Sequence, residues 1–258
     1  MIDIGVNLMN PSFDHDRQAV LAAAQNAGVK KMVITGSCLK SSTAAAAFAK
    51  ENSCCKATAG LHPHNAKDWG KETAAQLREL LRHESVVAAG ECGLDYNRNF
   101  SPPAAQRICF EEQLALAVEL QKPVFLHERD SFDDFFSFLK QYRPRLSGAV
   151  VHCFTGTAEH LEAYLALDCY IGITGWVCDE RRGSGLIPLL KQIPADRLLL
   201  ETDAPYLLPR NMPGKKSRRN EPAFLAHIAA FAAKITGKEL EEIAAETSAN
   251  AERLFTGL

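Results

Sequence analysis

Four side chains able to bind a cation or move a proton stand at the carboxyl ends of short apolar runs: Glu91, His127, His152 and Asp203. Two imidazoles and two carboxylates gathered at one point match the ligand set of a catalytic divalent metal, which polarises a bound oxygen and its water. Taken singly, each has a plainer explanation. A strand-end histidine is more often packed than ligating, and Glu91 alone could pair with an arginine. The case rests on the coincidence of four such groups at the same end of four separate runs. Glu91, His127, His152 and Asp203 are therefore the candidate ligands. Strand alternation puts Glu201 on the face of Asp203 and turns Cys92 and Cys153 to the opposite face, under the helices.

Groups so far apart in the chain need a frame that brings them together. Eight apolar, β-branched runs supply one: 2–7, 31–36, 56–61, 86–91, 123–127, 149–153, 169–173 and 197–203. Near-continuous apolar character suits parallel strands covered on both faces. Helical patterns lie between them. One over 14–27 stops at Gly28. Another over 101–121 opens with Ser101 as N-cap and Pro102 at the first helical position. Two more, over 221–235 and 239–254, close the chain. Eight strand-helix pairs in about 250 residues predict an α/β chain folded as a (β/α)8 TIM barrel. An open doubly wound sheet is the alternative, but it usually places a glycine-rich loop after its first strand, and none follows Asn7. In the barrel, the carboxyl ends of all the strands converge on one mouth.

The loops of that mouth are basic. Arg129 follows His127 by two residues, Arg181 and Arg182 follow the seventh run, and Arg210, Lys215, Lys216, Arg218 and Arg219 follow the eighth. Loops after the seventh and eighth strands commonly bind phosphate, and guanidinium forks fit its geometry. A charge run by itself reads as a solvated loop; its place beside the mouth favours phosphate. Trp176 and Tyr206 in the same loops suit either base stacking or rim packing.

Composition sets the outer limits. With 258 residues, 47% hydrophobic and 23% charged, the chain can bury a full core and is not dominated by disorder. A net charge of −2 draws it neither to nucleic acid nor to membrane in bulk, so an anionic ligand must meet a local patch. No leader pattern and no run of about eighteen apolar residues is visible. The eight cysteines form no C-x-x-C pair and read as reduced core thiols. The expectation is a cytoplasmic monomer with no membrane association and no obligate protein partner.

Several segments then carry a resemblance: DIGVNL (3–8), GLHPH (60–64), GECGLDYNRNF (90–100), LHERD (126–130), VHCFTG (151–156), GITGWVCDERRG (172–183), ETDAPYLLPR (201–210) and RRNEP (218–222). In their order and over nearly the whole chain they resemble the TatD family of metal-dependent deoxyribonucleases. The resemblance implies one amidohydrolase-like barrel domain over 1–258. It implies 3′-to-5′ exonuclease action on single-stranded DNA and RNA, in the repair of oxidatively damaged DNA. Glu91, His127 and His152 match the family's metal ligands, and Asp203 the aspartate that holds metal or water and acts as base. His62 and His64 match its HPH pair near the substrate phosphate. Arg129, Arg181, Arg182, Arg210, Arg218 and Arg219 would offset phosphate charge. The resemblance implies Mg²⁺, although the donor set suits Zn²⁺ or Mn²⁺ as well. Many members carry an H-x-H pair on the first strand where this chain has Gly5 and Asn7, which leaves the choice between one and two ions open. Competing readings are a hydrolase of a small amide, lactone or aminoacyl ester on the same barrel, and a degenerate barrel serving as a binding module.

Overall fold

The computed structural model describes residues 1–214 and 218–258; Lys215 and Lys216 of the basic run lie outside the described residues. Eight strands form one sheet: β1 (Ile2–Val6), β2 (Lys31–Ile34), β3 (Cys55–Ala59), β4 (Val86–Asp95), β5 (Val124–Arg129), β6 (Ala149–Val151), β7 (Tyr170–Ile173) and β8 (Leu198–Leu200). Each pairs in parallel with the next in chain order. Helices α1 (Arg17–Asn26), α2 (Leu39–Glu51), α3 (Lys71–Arg82), α4 (Pro103–Leu120), α5 (Phe132–Tyr142), α6 (Ala158–Ala166) and α7 (Leu186–Leu190) connect successive strands. After β8 come α8 (Leu225–Thr236) and α9 (Leu240–Leu254). This is the predicted (β/α)8 barrel.

The barrel closes just past the end of β8. Asp203 N donates to Gly5 O at 2.8 Å, and Asn7 N donates to Ala204 O at 2.7 Å. The buried Asp3 carboxylate ties the same seam, accepting from Thr202 N at 3.0 Å and the Thr202 hydroxyl at 2.6 Å. Along each strand, alternate residues enter two different cores. Ile2, Ile4, Val33, Val87, Phe125, Val150 and Leu199 fill the barrel's interior, and Leu254 and Phe255 from the end of α9 plug its floor. Met32, Ile34, Leu198 and Leu200 face the other way, against the helices.

Three local details differ from the sequence expectation. First, β4 does not stop at Glu91. It runs on to Asp95 through a register shift between Ala89 and Cys92, where Glu91 N leaves the ladder and donates to Gly36 O at 2.7 Å. Such a bulge re-aims one side chain without ending the strand. Gly90, inside the shift, permits it: its φ is 133°, and a side chain there would run into the Phe125 carbonyl. Second, β6 and β8 stop at Val151 and Leu200, so His152 and Asp203 sit beyond the ladder, with Asp203 in the left-handed region at φ 53°. Third, Ser101 does not cap α4. Its hydroxyl donates to His64 O at 2.9 Å and accepts from Lys67 N at 3.0 Å, and Pro102 takes the cap position instead. Among the described residues, no helix is long and apolar enough to cross a membrane.

Candidate active site

The mouth is organised around one carboxylate oxygen. Glu91 Oε1, turned inward by the β4 bulge, lies 2.8 Å from His152 Nε2, 3.2 Å from His127 Nδ1 and 3.5 Å from His62 Nε2. His127 comes from β5, His152 follows β6, and His62 opens the 3-10 turn after β3. Among the described residues, His62, Glu91 and His127 form a group that could hold a metal ion, their ligand atoms all within 4.8 Å of one another. His62 is thus nearer the centre than its expected phosphate-binding role required.

The second nitrogen of each ring decides which can ligate. His152 Nδ1 faces Glu201 Oε2 at 3.3 Å and its Nε2 faces Glu91 Oε1 at 2.8 Å, so a carboxylate stands at each ring nitrogen. His127 Nε2 faces Asp95 Oδ2 at 3.4 Å, which leaves Nδ1 for the centre. His62 has the opposite arrangement. Its Nδ1 accepts from His64 N at 3.1 Å, so the neutral ring carries its hydrogen on Nε2, toward Glu91. His62 thus turns a donor toward Glu91, while His127 and His152 each bring a ring nitrogen to the same carboxylate oxygen.

Protonation tells the same story. Burial works against a charged ring at His152, yet Glu201 and Glu91 outweigh it and raise its pKa well above the ordinary histidine value. Burial also opposes charge on His127, where hydrogen bonds to Asp95 and Glu91 win and the pKa rises. Burial would raise Glu91, but the surrounding imidazoles hold it well below the usual carboxylate range. At His62 burial dominates and lowers the pKa to about 3. The pocket thus favours positive charge against Glu91, which either two ring protons or one divalent cation can supply. One hard carboxylate oxygen and two lone-pair imidazole nitrogens, each backed by a carboxylate, fit such a cation.

Asp203 stands beside this centre. Its Oδ1 accepts from Asn7 Nδ2 at 2.8 Å. Burial raises its pKa to about 7, with His152 pulling it down and Glu91 and Glu201 pushing it up. The first-strand positions now have a physical explanation. A side chain at Gly5 would collide with the Glu201 carboxylate, which lies fully buried there and accepts from Cys153 N at 2.6 Å. Glycine at 5 makes room for the group that orients His152, and Asn7 serves Asp203. Cys92 is packed in the outer core as expected, but Cys153 is not under the helices. It adopts φ 48° and lines the mouth, because the strand has already ended at Val151 and alternation no longer holds. Burial keeps its thiol well above the ordinary value, so it is neutral and a poor nucleophile.

The cleft over the centre measures about 630 Å³ and takes in Asn7, His64, Arg129, Trp176, Arg182 and Tyr206 around its walls. His64 Nε2 lies 2.9 Å from Asp95 Oδ2. A neighbouring basic pocket of about 570 Å³ gathers Arg181, Arg182, Arg210 and Arg218 around Trp176, with Arg182 5.5 Å above the indole ring. Asp179 at its edge pairs with Arg181 at 3.4 Å and Arg210 at 3.8 Å. Arg219 is drawn elsewhere. It pairs with Asp16 at 2.6 Å and Glu221 at 2.8 Å, donates to Ser12 O, and covers the Phe13 ring at 4.7 Å. It braces the last loop against the segment before α1, a role its local sequence does not signal.

The whole chain is similar to known proteins. Residues 2–256 match the family described as TatD related DNase. The chain belongs to that family. A protein of Cronobacter sakazakii named 3′-5′ ssDNA/RNA exonuclease TatD is 54% identical over 99% of this chain and 97% of its own. Its namesake in Erwinia tasmaniensis is 54% identical over 99% of each. The solved structure of the TatD homologue YjjV of Escherichia coli matches with a TM-score of 0.90 and 31% identity, over 99% of this chain and 97% of that one. The chain is thus a hydrolytic nuclease of the TatD family.

Proposed function

We propose that this TatD-family nuclease is a 3′-to-5′ exonuclease of single-stranded DNA and RNA that uses one divalent cation held by Glu91, His127 and His152, with Mg²⁺ as the working ion. The observation that carries the reading is the convergence on Glu91 Oε1 of two imidazole nitrogens, from His127 and His152, whose outer nitrogens face Asp95 at 3.4 Å and Glu201 at 3.3 Å. When bound, the cation would polarise a phosphoryl oxygen and lower the pKa of a water.

The chain's own groups do the rest. Asp203 takes the proton from the attacking water: Asn7 holds one of its oxygens, and the buried carboxyl, poised near neutrality, is a competent base. His62 Nε2–H and His64 donate to the non-bridging oxygens of the scissile phosphate. Arg129 and Arg182 offset its charge at the mouth, and Arg181, Arg210 and Arg218 follow the backbone into the side pocket. A small neutral amide or ester would leave that pocket without a role. The activity would serve repair of oxidatively damaged DNA by a cytoplasmic monomer.

A single-stranded oligonucleotide labelled at its 5′ end tests this, followed over time with Mg²⁺ and with a chelator. A metal-dependent ladder that shortens one nucleotide at a time is expected. An oligonucleotide left intact under Mg²⁺, Mn²⁺ and Zn²⁺ would overturn the proposal.

A further inference from the structure

The loop between β4 and α4 presents a side chain that the mechanism above leaves idle. Phe100 is 58% exposed, although it stands in the wall of the cleft that contains Glu91 and His127. Its ring meets His64 in a T-shaped contact, with centroids 4.8 Å apart and planes at 84°, and much of the phenyl surface stays open. Apolar surface in water is unfavourable, and a loose loop would fold such a ring away. This loop is tied down. Asp95 Oδ1 accepts from Asn97 N at 3.0 Å and Arg98 N at 2.8 Å, while Asp95 Oδ2 contacts His64. On the other side of Phe100, the fully buried Ser101 is bonded to His64 O and Lys67 N, and Gln106 Nε2 donates to Ser101 O at 2.8 Å. Asn99, at φ 49°, makes the turn between these two anchors. One carboxylate therefore holds both the His64 ring and the base of the loop that displays the phenyl ring.

We propose that Phe100 is a stacking platform for a nucleobase of the strand, adjacent to the phosphate that His62 and His64 engage. The inference rests on the nuclease reading and extends it to how the strand end is held. Every base has a π-face, so such a platform grips the end without choosing a sequence. It predicts sensitivity to a missing base rather than to base identity. Trp176 and Tyr206 border the same cleft, but Trp176 already carries Arg182 and the Tyr206 hydroxyl accepts from Asn10 Nδ2 at 3.0 Å. Among the described residues, the ring contact of Phe100 is with His64.

The test uses the full-length protein with Mg²⁺ and two 5′-labelled oligonucleotides. One is intact; in the other, the two 3′-terminal bases are replaced by abasic tetrahydrofuran residues. For the wild-type protein the abasic end should raise KM about tenfold, toward the low end of the range for one stacked base. Phe100→Ala should raise KM about tenfold on the intact strand, with the loss falling on KM rather than kcat, and should erase the difference between the two strands. Phe100→Trp should restore both the low KM and the difference. Equal loss by Phe100→Ala on both strands, or no loss on either, would overturn the stacking proposal while leaving the nuclease reading in place. A wild-type protein that shortens neither strand would overturn both.

Discussion

The two halves of the barrel interior are built from the same strands and behave as different materials. Below, Val33, Val87, Phe125, Val150 and Leu199 pack on one another, and Leu254 and Phe255 seal them from beneath. Above, the chain continuing from β4, β5, β6 and β8 presents Glu91, His127, His152 and Glu201, nearly as deeply buried but held by ion pairs and hydrogen bonds. The lower half gains stability by removing apolar surface from water. The upper half spends part of that gain to hold a buried carboxylate among imidazoles, an arrangement that is favourable only with positive charge at its centre. Stability and chemistry are thus separated by a few residues along each strand, and variants should divide the same way.

Phe255→Ala, in the floor, should have the largest effect on stability. Removing a fully buried phenyl costs about 3–5 kcal/mol. Urea unfolding should show the loss, while specific activity at low temperature stays at the wild-type level. Glu201→Gln, in the mouth, should do the reverse. Losing the carboxylate behind His152 should weaken divalent-metal binding about 10–100-fold, read by titration calorimetry, with little change in unfolding. A large unfolding defect and unchanged metal affinity would break the division proposed here.

Asp3 lies at the boundary between the halves. Burial raises its pKa to about 7, against hydrogen bonds from Thr202 and Gly5 that pull it down. A carboxyl raised above its unfolded value of 3.8 gives stability that is complete below about pH 4 and is lost as the pH rises through about 7. Asp3→Asn should therefore remove a decline in stability between pH 4 and pH 7, seen in the difference between the two unfolding profiles. A difference that does not vary with pH would contradict this. The smallest effects should separate two neighbours. Arg218→Ala should flatten the salt dependence of single-strand binding by about 0.7 in log-log slope. Arg219→Ala should leave that slope alone and lower stability by about 1 kcal/mol or less, as befits a partly exposed ion pair.

These contrasts also show what could be read from the sequence. The barrel and its mouth were legible because apolar runs that end in His or Glu carry both signals locally, periodicity for the strand and residue type for the chemistry. The β4 bulge was not, because Gly90 and Gly93 mark a permissive backbone without saying how it bends. Nor was the division of labour among the histidines. It depends on which ring nitrogen meets Asp95, Glu201 or the backbone of His64, and those partners come from other loops. The approach of His62 to Glu91 was hidden behind its match to a phosphate-binding pair, and Arg219 could not be separated from a phosphate contact, since its partner Asp16 lies 203 residues away. Phe100 was visible only as a letter in a motif, since its meaning lies in being exposed on a fixed loop.

The most direct test is Glu91→Gln, with metal binding and exonuclease activity measured on one preparation. Mn²⁺ binding can be followed by electron paramagnetic resonance and turnover on the labelled oligonucleotide. The account predicts that both are lost together, with the thermal unfolding midpoint at or above that of the wild type. A variant that shortens the strand at the wild-type rate without bound metal would contradict it.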